Sequence, residues 1–317
     1  GPIYLDVFKI IFKIVSLTVH RLIIHPKPIV GFISEMNAPY KFIAEYKRYN
    51  IEFILWFYLF DIILKIQKPQ KVFFVSGTYF TPLIAASQNN KIEIYEIQHG
   101  VINEYHLAYH FPGIKRDGFY SSGILLFSDY WKTKASFPTG TKLITTGNSC
   151  YTNSKTDSKI KQSILFISQP IIAKQLIDYL SDNIHFLVEN KFQISYKLHP
   201  SEFNDWSRSY KKLVTLKKAG FIEVLTNQKP LNELLSETEI VFGVSSTVMY
   251  ESIDNSCKVF IIDFPSSEYF EDLVEKGIVK RLKRTSRLSI EDLQFAPKTV
   301  EKFFRDADLK MIKRLTL

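Results

Sequence analysis

Two histidines at predicted strand ends set the chemistry this chain could perform. His199, in "YKLHP", precedes Pro200, which forces it out of helical geometry and turns the chain there. An imidazole at the carboxyl end of a parallel strand faces the crevice where α/β sheets bind ligands, and it can donate to a phosphate oxygen. Further on, "FGVSSTVMYES" presents Ser245, Ser246 and Thr247 between a predicted strand and a predicted helix. Hydroxyls and unpaired N–H groups at a helix N-terminus form an anion site. Glu251 follows within that helix, where its carboxylate could accept hydrogen bonds from a ribose diol. Taken singly, each has an ordinary explanation: a strand-end histidine satisfied by its own backbone, an N-cap serine, a surface glutamate. The combination favours a nucleotide phosphate site.

The other histidine, His99, lies in "YEIQHGVINEYHLAYHFPG", directly after a strand-like run and before Gly100, which allows close backbone approach or a positive φ. Facing His199 across a crevice, it would stand where an acceptor hydroxyl must lose a proton. Imidazoles titrate close to neutral pH, as a general base should. In a rival assignment His99 orients its loop and Glu104 or Glu35 is the base. His106 and His110 are expected to shape the acceptor side, with Tyr79 and Thr78 also within reach of it. A zinc site at the i, i+4 pair His106 and His110 lacks a third ligand nearby.

These residues need elements to hold them. In the first half, strands are predicted at Pro28–Ser34, Lys71–Gly77, Lys91–Gln98, Gly123–Ser128 and Lys142–Asn148. A helical tract covers Tyr40–Lys68, and a shorter helix covers Phe80–Asn90 with Pro82 suited to its first turn. The polar stretch Ser149–Gln162 marks a domain boundary, giving an acceptor domain over 1–150 and a nucleotide-sugar domain over 151–317. The pattern restarts with strands at Ser163–Pro170, Phe192–Pro200, Phe221–Thr226, Glu239–Ser246 and Lys258–Pro265, and a helix from Ile172 to Asn190. The tail, Ser289–Leu317, reads as basic helix, and the terminal helix is expected to pack back on the first domain. Alternating strands and helices imply parallel βαβ units. The expected fold is α/β, two Rossmann-like doubly wound domains with their strand C-termini facing a central cleft.

The 317 residues suffice for two domains. A composition of 46% hydrophobic and 23% charged residues is globular. The formal net charge of +9 favours polyanionic partners: nucleic acid, anionic lipid, or a phosphorylated or acidic substrate. The two cysteines, Cys150 and Cys257, show no metal-ligand spacing and fit a reduced cytosolic protein. Gly1-Pro2 resembles a protease scar. The hydrophobic run Ile3–Ile24 carries Asp6, Lys9, Lys13 and Arg21, each costing about 2.5–3.5 kcal/mol near a bilayer centre. A transmembrane span is therefore rejected. Asp6, Lys9 and Lys13 share one face of an amphipathic helix, which suits the surface of an anionic membrane or a packing role on its own domain.

Other classes fit less well. The sequence holds no GxGxxG, Walker loop or nucleophile elbow. Its basic residues are dispersed apart from Lys276–Arg287 and the tail, with no aromatic-basic RNA-binding signature, so nucleic acid is not an expected partner.

"KLHP" followed by "SSTVMYES" resembles the His-Pro and Ser-Ser motifs of bacterial GT-B glycosyltransferases that use CMP-activated sugars. That group includes capsule sialyltransferases, polysialyltransferases and Kdo transferases. The teichoic-acid CDP-glycerol glycerophosphotransferases belong to a wider circle. "EIQHGVINEYHLAY" looks like the Gln-His-Gly segment of related capsule and lipopolysaccharide enzymes. The likeness runs in scattered motifs from Lys71 to Phe270. It implies a GT-B fold in which His199, Pro200, Ser245, Ser246 and Thr247 hold the CMP phosphate, Glu251 holds the ribose and His99 acts as base. The sialyltransferases' acidic Asp/Glu-Asp/Glu-Gly motif has no counterpart here. The resulting expectation is an inverting transferase at the inner face of a bacterial cell membrane, moving sialic acid, another nonulosonic acid or Kdo from a CMP donor onto a surface glycan. It needs no cofactor or metal, because the leaving group is a monophosphate. The alternatives are a CDP-glycerol or CDP-ribitol phosphotransferase, a UDP-sugar GT-B transferase, or a non-enzymatic membrane- or glycan-binding module.

Overall fold

The computed structural model describes residues 40–77, 79–112, 118–148 and 159–316. The expectations for Ile3–Ile24, Pro28–Ser34, Glu35, Thr78, Cys150 and most of Ser149–Gln162 lie outside the described residues. The chain divides into two compact units. One holds the described residues up to His99, those within Pro112–Leu125, and Phe137–Ile144. The other holds Gly100–Phe111, Leu126–Ser136 and the described residues from Thr145 onward.

In the first unit, the long helix α1 (Tyr40–Gln67) precedes β1 (Lys71–Val75), α2 (Thr81–Asn89), β2 (Glu93–Ile97), β3 (Gly123–Leu126) and β4 (Lys142–Thr145). The sheet order is β1-β2-β3-β4, with β1–β2 and β2–β3 parallel. Proline stands in the first turn of α2, where its missing N–H costs nothing. The carboxylate of Asp61 on α1 accepts from the Asn89 and Asn90 side chains at 2.9 and 2.6 Å, which ties α1 to the end of α2. Lys65 and these amides hold the Asp61 carboxyl down at about 2.

The second unit carries β5 (Ile160–Ile167), α3 (Ala173–Glu189), β6 (Gln193–Lys197), α4 (Lys211–Lys218), β7 (Glu223–Leu225), α5 (Leu231–Glu237), β8 (Thr238–Gly243), α6 (Thr247–Asp254), β9 (Lys258–Ile262), β10 (Lys280–Leu282) and α7 (Leu309–Thr316). Its six strands, counted among the described residues, run in the order β10-β9-β8-β5-β6-β7, every neighbouring pair parallel. Numbered from β5 this is the doubly wound order 3-2-1-4-5-6, whose direction reverses between β5 and β8. Phe166, Phe242 and Phe260 stack as a ladder across β5, β8 and β9, with ring centroids 4.8 and 5.1 Å apart. Below it α3 buries Leu176, Ile177, Leu180, Ile184 and Leu187 on one stripe, each contributing about 1.5–3 kcal/mol of hydrophobic burial.

Two features depart from expectation. Within the basic run Lys276–Arg287 lies a strand, β10, whose cations are largely paired: Lys280 with Asp292 at 2.8 Å and Arg281 with Glu271 at 2.5 Å. The tail is not one helix. A short turn at Ile290–Leu293 gives way to an extended segment before α7. Phe303 and Phe304 are buried there, and their N–H groups donate to the Asp254 carboxylate at 3.0 and 2.8 Å. The indole of buried Trp131 donates to the Phe303 carbonyl at 2.8 Å, so this extended segment, rather than a helix, covers Trp131. Gly147 sits at φ +76° beneath it, where an added Cβ would lie 2.2 Å from the Asp306 carbonyl oxygen. No helix among the described residues is long and apolar enough to cross a membrane.

Candidate functional site

The turn after β6 is built around His199. Its φ and ψ of −70° and 146° are the extended values that Pro200 imposes on a preceding residue. A capping box closes the turn: the Ser201 N–H donates to His199 Nδ1 at 3.2 Å, and the His199 N–H donates to Glu202 Oε2 at 2.7 Å. The Ser201 N–H, which can only donate, and the Ser201 hydroxyl at 2.8 Å both face Nδ1; with Nδ1 as the acceptor, Nε2 carries the proton of the neutral ring. The ring itself is exposed, so this proton points to solvent. Glu202 is buried and fully engaged. Its Oε1 accepts from Ser168 Oγ at 3.1 Å and from the Tyr210 hydroxyl at 2.6 Å, and Tyr196 in turn donates to Ser168 at 3.1 Å. Burial and the contact with Glu202 push the Tyr210 phenol up, so it stays a donor.

At the reversal point of the sheet, Val244 is buried after β8, and Ser245, Ser246 and Thr247 are half-buried as α6 begins. Ser246 is the N-cap, its Oγ accepting from the Val248 N–H at 3.3 Å. Ser245 pairs twice with Gln169, the second residue past β5. Its N–H donates to Gln169 Oε1 at 2.9 Å, and its Oγ accepts from Gln169 Nε2 at 3.1 Å. Among the described residues nothing takes up the N–H groups of Ser246 and Thr247. They add to the positive end of the helix dipole. Sequence reasoning passed over Gln169, although its place at the end of the first strand of a doubly wound sheet was a usable signal.

Glu251 lies on α6 beyond these serines, half-buried, and its carboxylate makes no hydrogen bond or ion pair among the described residues. Burial, reinforced by Asp254, pushes its carboxyl up to about 7. Asp254 is also raised, to about 6, because burial outweighs its bonds to the Phe303 and Phe304 N–H groups. Its role is to hold the tail.

The expected acceptor-side residues separate. His99 follows β2 in the first unit, exposed, and its ring makes no hydrogen bond to a described residue. Three residues earlier, within β2, buried Glu96 accepts from the Gly77 N–H at 2.7 Å. Tyr79 is 83% exposed. Gly100 begins the loop that belongs to the second unit, where a Cβ on it would meet Thr247 Oγ1 at an ordinary 3.8 Å. Its φ is not positive, and among the described residues no backbone lies close enough to exclude a Cβ there. Glu104 is exposed in this loop, and the Tyr105 ring stacks on Tyr269 at 5.2 Å. His106 and His110 each use Nδ1 to accept a backbone N–H, from Ala108 at 3.3 Å and Ser136 at 3.1 Å. Both rings therefore shape the loop. Among the described residues no group of three or more His, Cys, Asp or Glu could hold a metal ion.

No known family profile matches the chain. It is 25% identical over 247 residues to the uncharacterized protein MJ1060 of Methanocaldococcus jannaschii, a match covering 70% of this chain and 42% of that one. The chain thus spans well under half the length of this curated relative. Among solved structures it is similar to the UDP-GlcNAc 2-epimerase of the same organism, at 13% identity, with a TM-score of 0.53 over 84% of this chain and 82% of that one. The complex of that epimerase with UDP-GlcNAc and UDP matches at 13% identity and a TM-score of 0.53, covering 84% and 81%. The chain has a GT-B-type α/β fold with two Rossmann-like parallel sheets.

Proposed function

We propose that this chain is a GT-B glycosyltransferase that moves an acidic sugar from a CMP donor onto a hydroxyl of a surface glycan. The observation that carries the reading is the His199 turn. A buried, fully bonded carboxylate fixes the backbone, Ser201 fixes the tautomer, and the Nε2 proton is left exposed next to a sheet whose reversal point holds Ser245 and Ser246. Donors preorganised in this way cost no rearrangement when negative charge develops on a departing phosphate.

In this reading the CMP phosphate lies on His199 Nε2–H, the Ser245 hydroxyl and the Ser246 and Thr247 N–H groups. The ribose hydroxyls donate to Glu251. The acceptor hydroxyl passes its proton to His99 as its oxygen forms the new bond to the anomeric carbon, and the bond from that carbon to the phosphate oxygen breaks with CMP taking the electron pair. Displacement in one step inverts the configuration. The phosphate charge is met by protein donors, so a chelator is expected to leave the rate unchanged. The chain's basic character suits the carboxylate of a nonulosonic acid or Kdo and an anionic membrane surface nearby.

A second reading is a UDP-sugar enzyme. It is favoured by the similarity of fold to an epimerase solved with UDP-GlcNAc and UDP. Calorimetric titration with CMP, CDP, UDP, GDP and ADP separates the two. Selective binding of CMP, lost in His199→Ala, supports the proposal, and selective binding of UDP transfers it to the second reading. Binding of no nucleotide sinks both. Release of CMP from CMP-sialic acid, set against turnover of CDP-glycerol, then distinguishes sugar transfer from polyol-phosphate transfer.

A further inference from the structure

We infer that Gln169 is a positioning residue that holds the Ser245 hydroxyl as a donor toward the donor-substrate phosphate. The inference rests on the nucleotide site proposed above and adds a residue just past the neighbouring strand β5. β5 and β8 are neighbours with parallel register, and the sheet order reverses between them. A ligand entering at this point meets the residues just past both strands.

The hydrogen bonds leave one arrangement. The Ser245 N–H can only donate, so the amide atom 2.9 Å away is the Gln169 oxygen. The amide nitrogen then faces Ser245 Oγ at 3.1 Å, and it too can only donate. The serine oxygen is an acceptor in this pair, so its single proton is directed elsewhere. Among the described residues nothing accepts that proton. The same amide occupies the Ser245 N–H, so the anion-facing donors at the start of α6 reduce to the Ser245 hydroxyl and the N–H groups of Ser246 and Thr247. A free serine hydroxyl can rotate to accept or donate. Here the orientation that would point the proton at Gln169 is excluded, which leaves the hydroxyl to donate to an oxyanion.

Methionine at this position keeps the length of the side chain and removes both bonds. Dissociation constants for CMP and for cytidine would be measured for the wild type, Gln169→Met, Ser245→Ala and the double variant, together with melting temperatures. If the wild type prefers UDP, UDP and uridine take their places. We expect Gln169→Met to weaken nucleotide binding about tenfold, equivalent to about 1.4 kcal/mol, and to leave nucleoside binding unchanged. In the Ser245→Ala background the same change should cost less than about twofold, because no hydroxyl remains to be oriented. Unaltered nucleotide affinity, an equal loss toward the nucleoside, or fully additive losses would each overturn the inference while leaving the nucleotide site standing. A wild type that binds neither nucleotide removes the site and the inference together. Should Gln169→Met fail to fold, Gln169→Asn, whose shorter amide cannot span both atoms, carries the same expectations.

Discussion

His99 and His199 both follow a parallel strand, one in each unit, yet their surroundings are opposite. The His199 ring is fixed through Nδ1, and its backbone is held by a carboxylate that is itself bonded to two hydroxyls. The His99 ring is exposed and makes no hydrogen bond to a described residue. A fixed tautomer with an outward N–H is what binding an oxyanion requires. A base must take a proton and give it up again, and a ring without prior bonds is free to do both. The same residue type at the same topological place is thus left with different hydrogen-bonding capacity by what its neighbours consume.

The widest effect expected from this contrast is in turnover. His99→Ala should lower kcat by about 10²–10⁴-fold, the contribution of a general base, with nucleotide affinity kept. Single-turnover transfer and calorimetry on one preparation measure both, and an unchanged kcat would return the base to Glu104 or Glu35. Next comes the support under His199. Glu202→Gln converts an acceptor-only side chain into one that must donate as well, so Ser168, Tyr210 and the His199 N–H cannot all be satisfied. A loss of about 1–3 kcal/mol is expected in denaturant unfolding, together with weaker nucleotide binding. Among the described residues no carboxylate holds the His99 backbone in this way.

A smaller effect sharpens the contrast through pH. The Glu251 carboxyl is raised from 4.5 to about 7 in the fold, so its contribution to stability is fully present below the unfolded value and is lost as pH rises through about 7. Stability should therefore fall between about pH 4.5 and 7 by a few degrees of melting temperature, about the size expected for a kcal/mol-scale change in a chain of this length. Glu251→Gln should flatten that slope, while the matching raised Asp254 leaves part of it. Nucleotide affinity should rise over the same range, because ribose hydroxyls donate to the ionised form; a pH-independent affinity would remove Glu251 from the site. The least effect is expected at Gly100→Ala, whose Cβ meets only an ordinary contact, with stability changed by no more than about 0.5 kcal/mol. Thermal melting checks it.

Much of the architecture was legible beforehand because apolar period and punctuation agree. The runs at Lys71, Lys91, Gly123, Phe192 and Lys258 contain the strands they announced, those at Ser163 and Glu239 overlap strands that begin earlier, at Ile160 and Thr238, and Pro82 marks the first turn of α2. β10 escaped notice because Lys280, Arg281 and Leu282 read as part of a basic cluster, and only the acids brought up by Glu271 and Asp292 reveal that the charges are paired. The tail misled in another way. Its apolar spacing suits a helix, yet Phe303 and Phe304 gain more by donating both N–H groups to Asp254 and burying their rings against Trp131 and Phe127.

The sequence alone determined the alternation of strands and helices and the histidine and serine pairs at their ends, because backbone geometry and hydrophobic period are local properties. Tertiary structure alone decided which hydrogen-bonding capacities those residues have left. Gln169 and Ser245, or Glu202 and Tyr210, meet only when parallel strands are ordered in space, and the satisfaction of a buried polar group depends on that meeting.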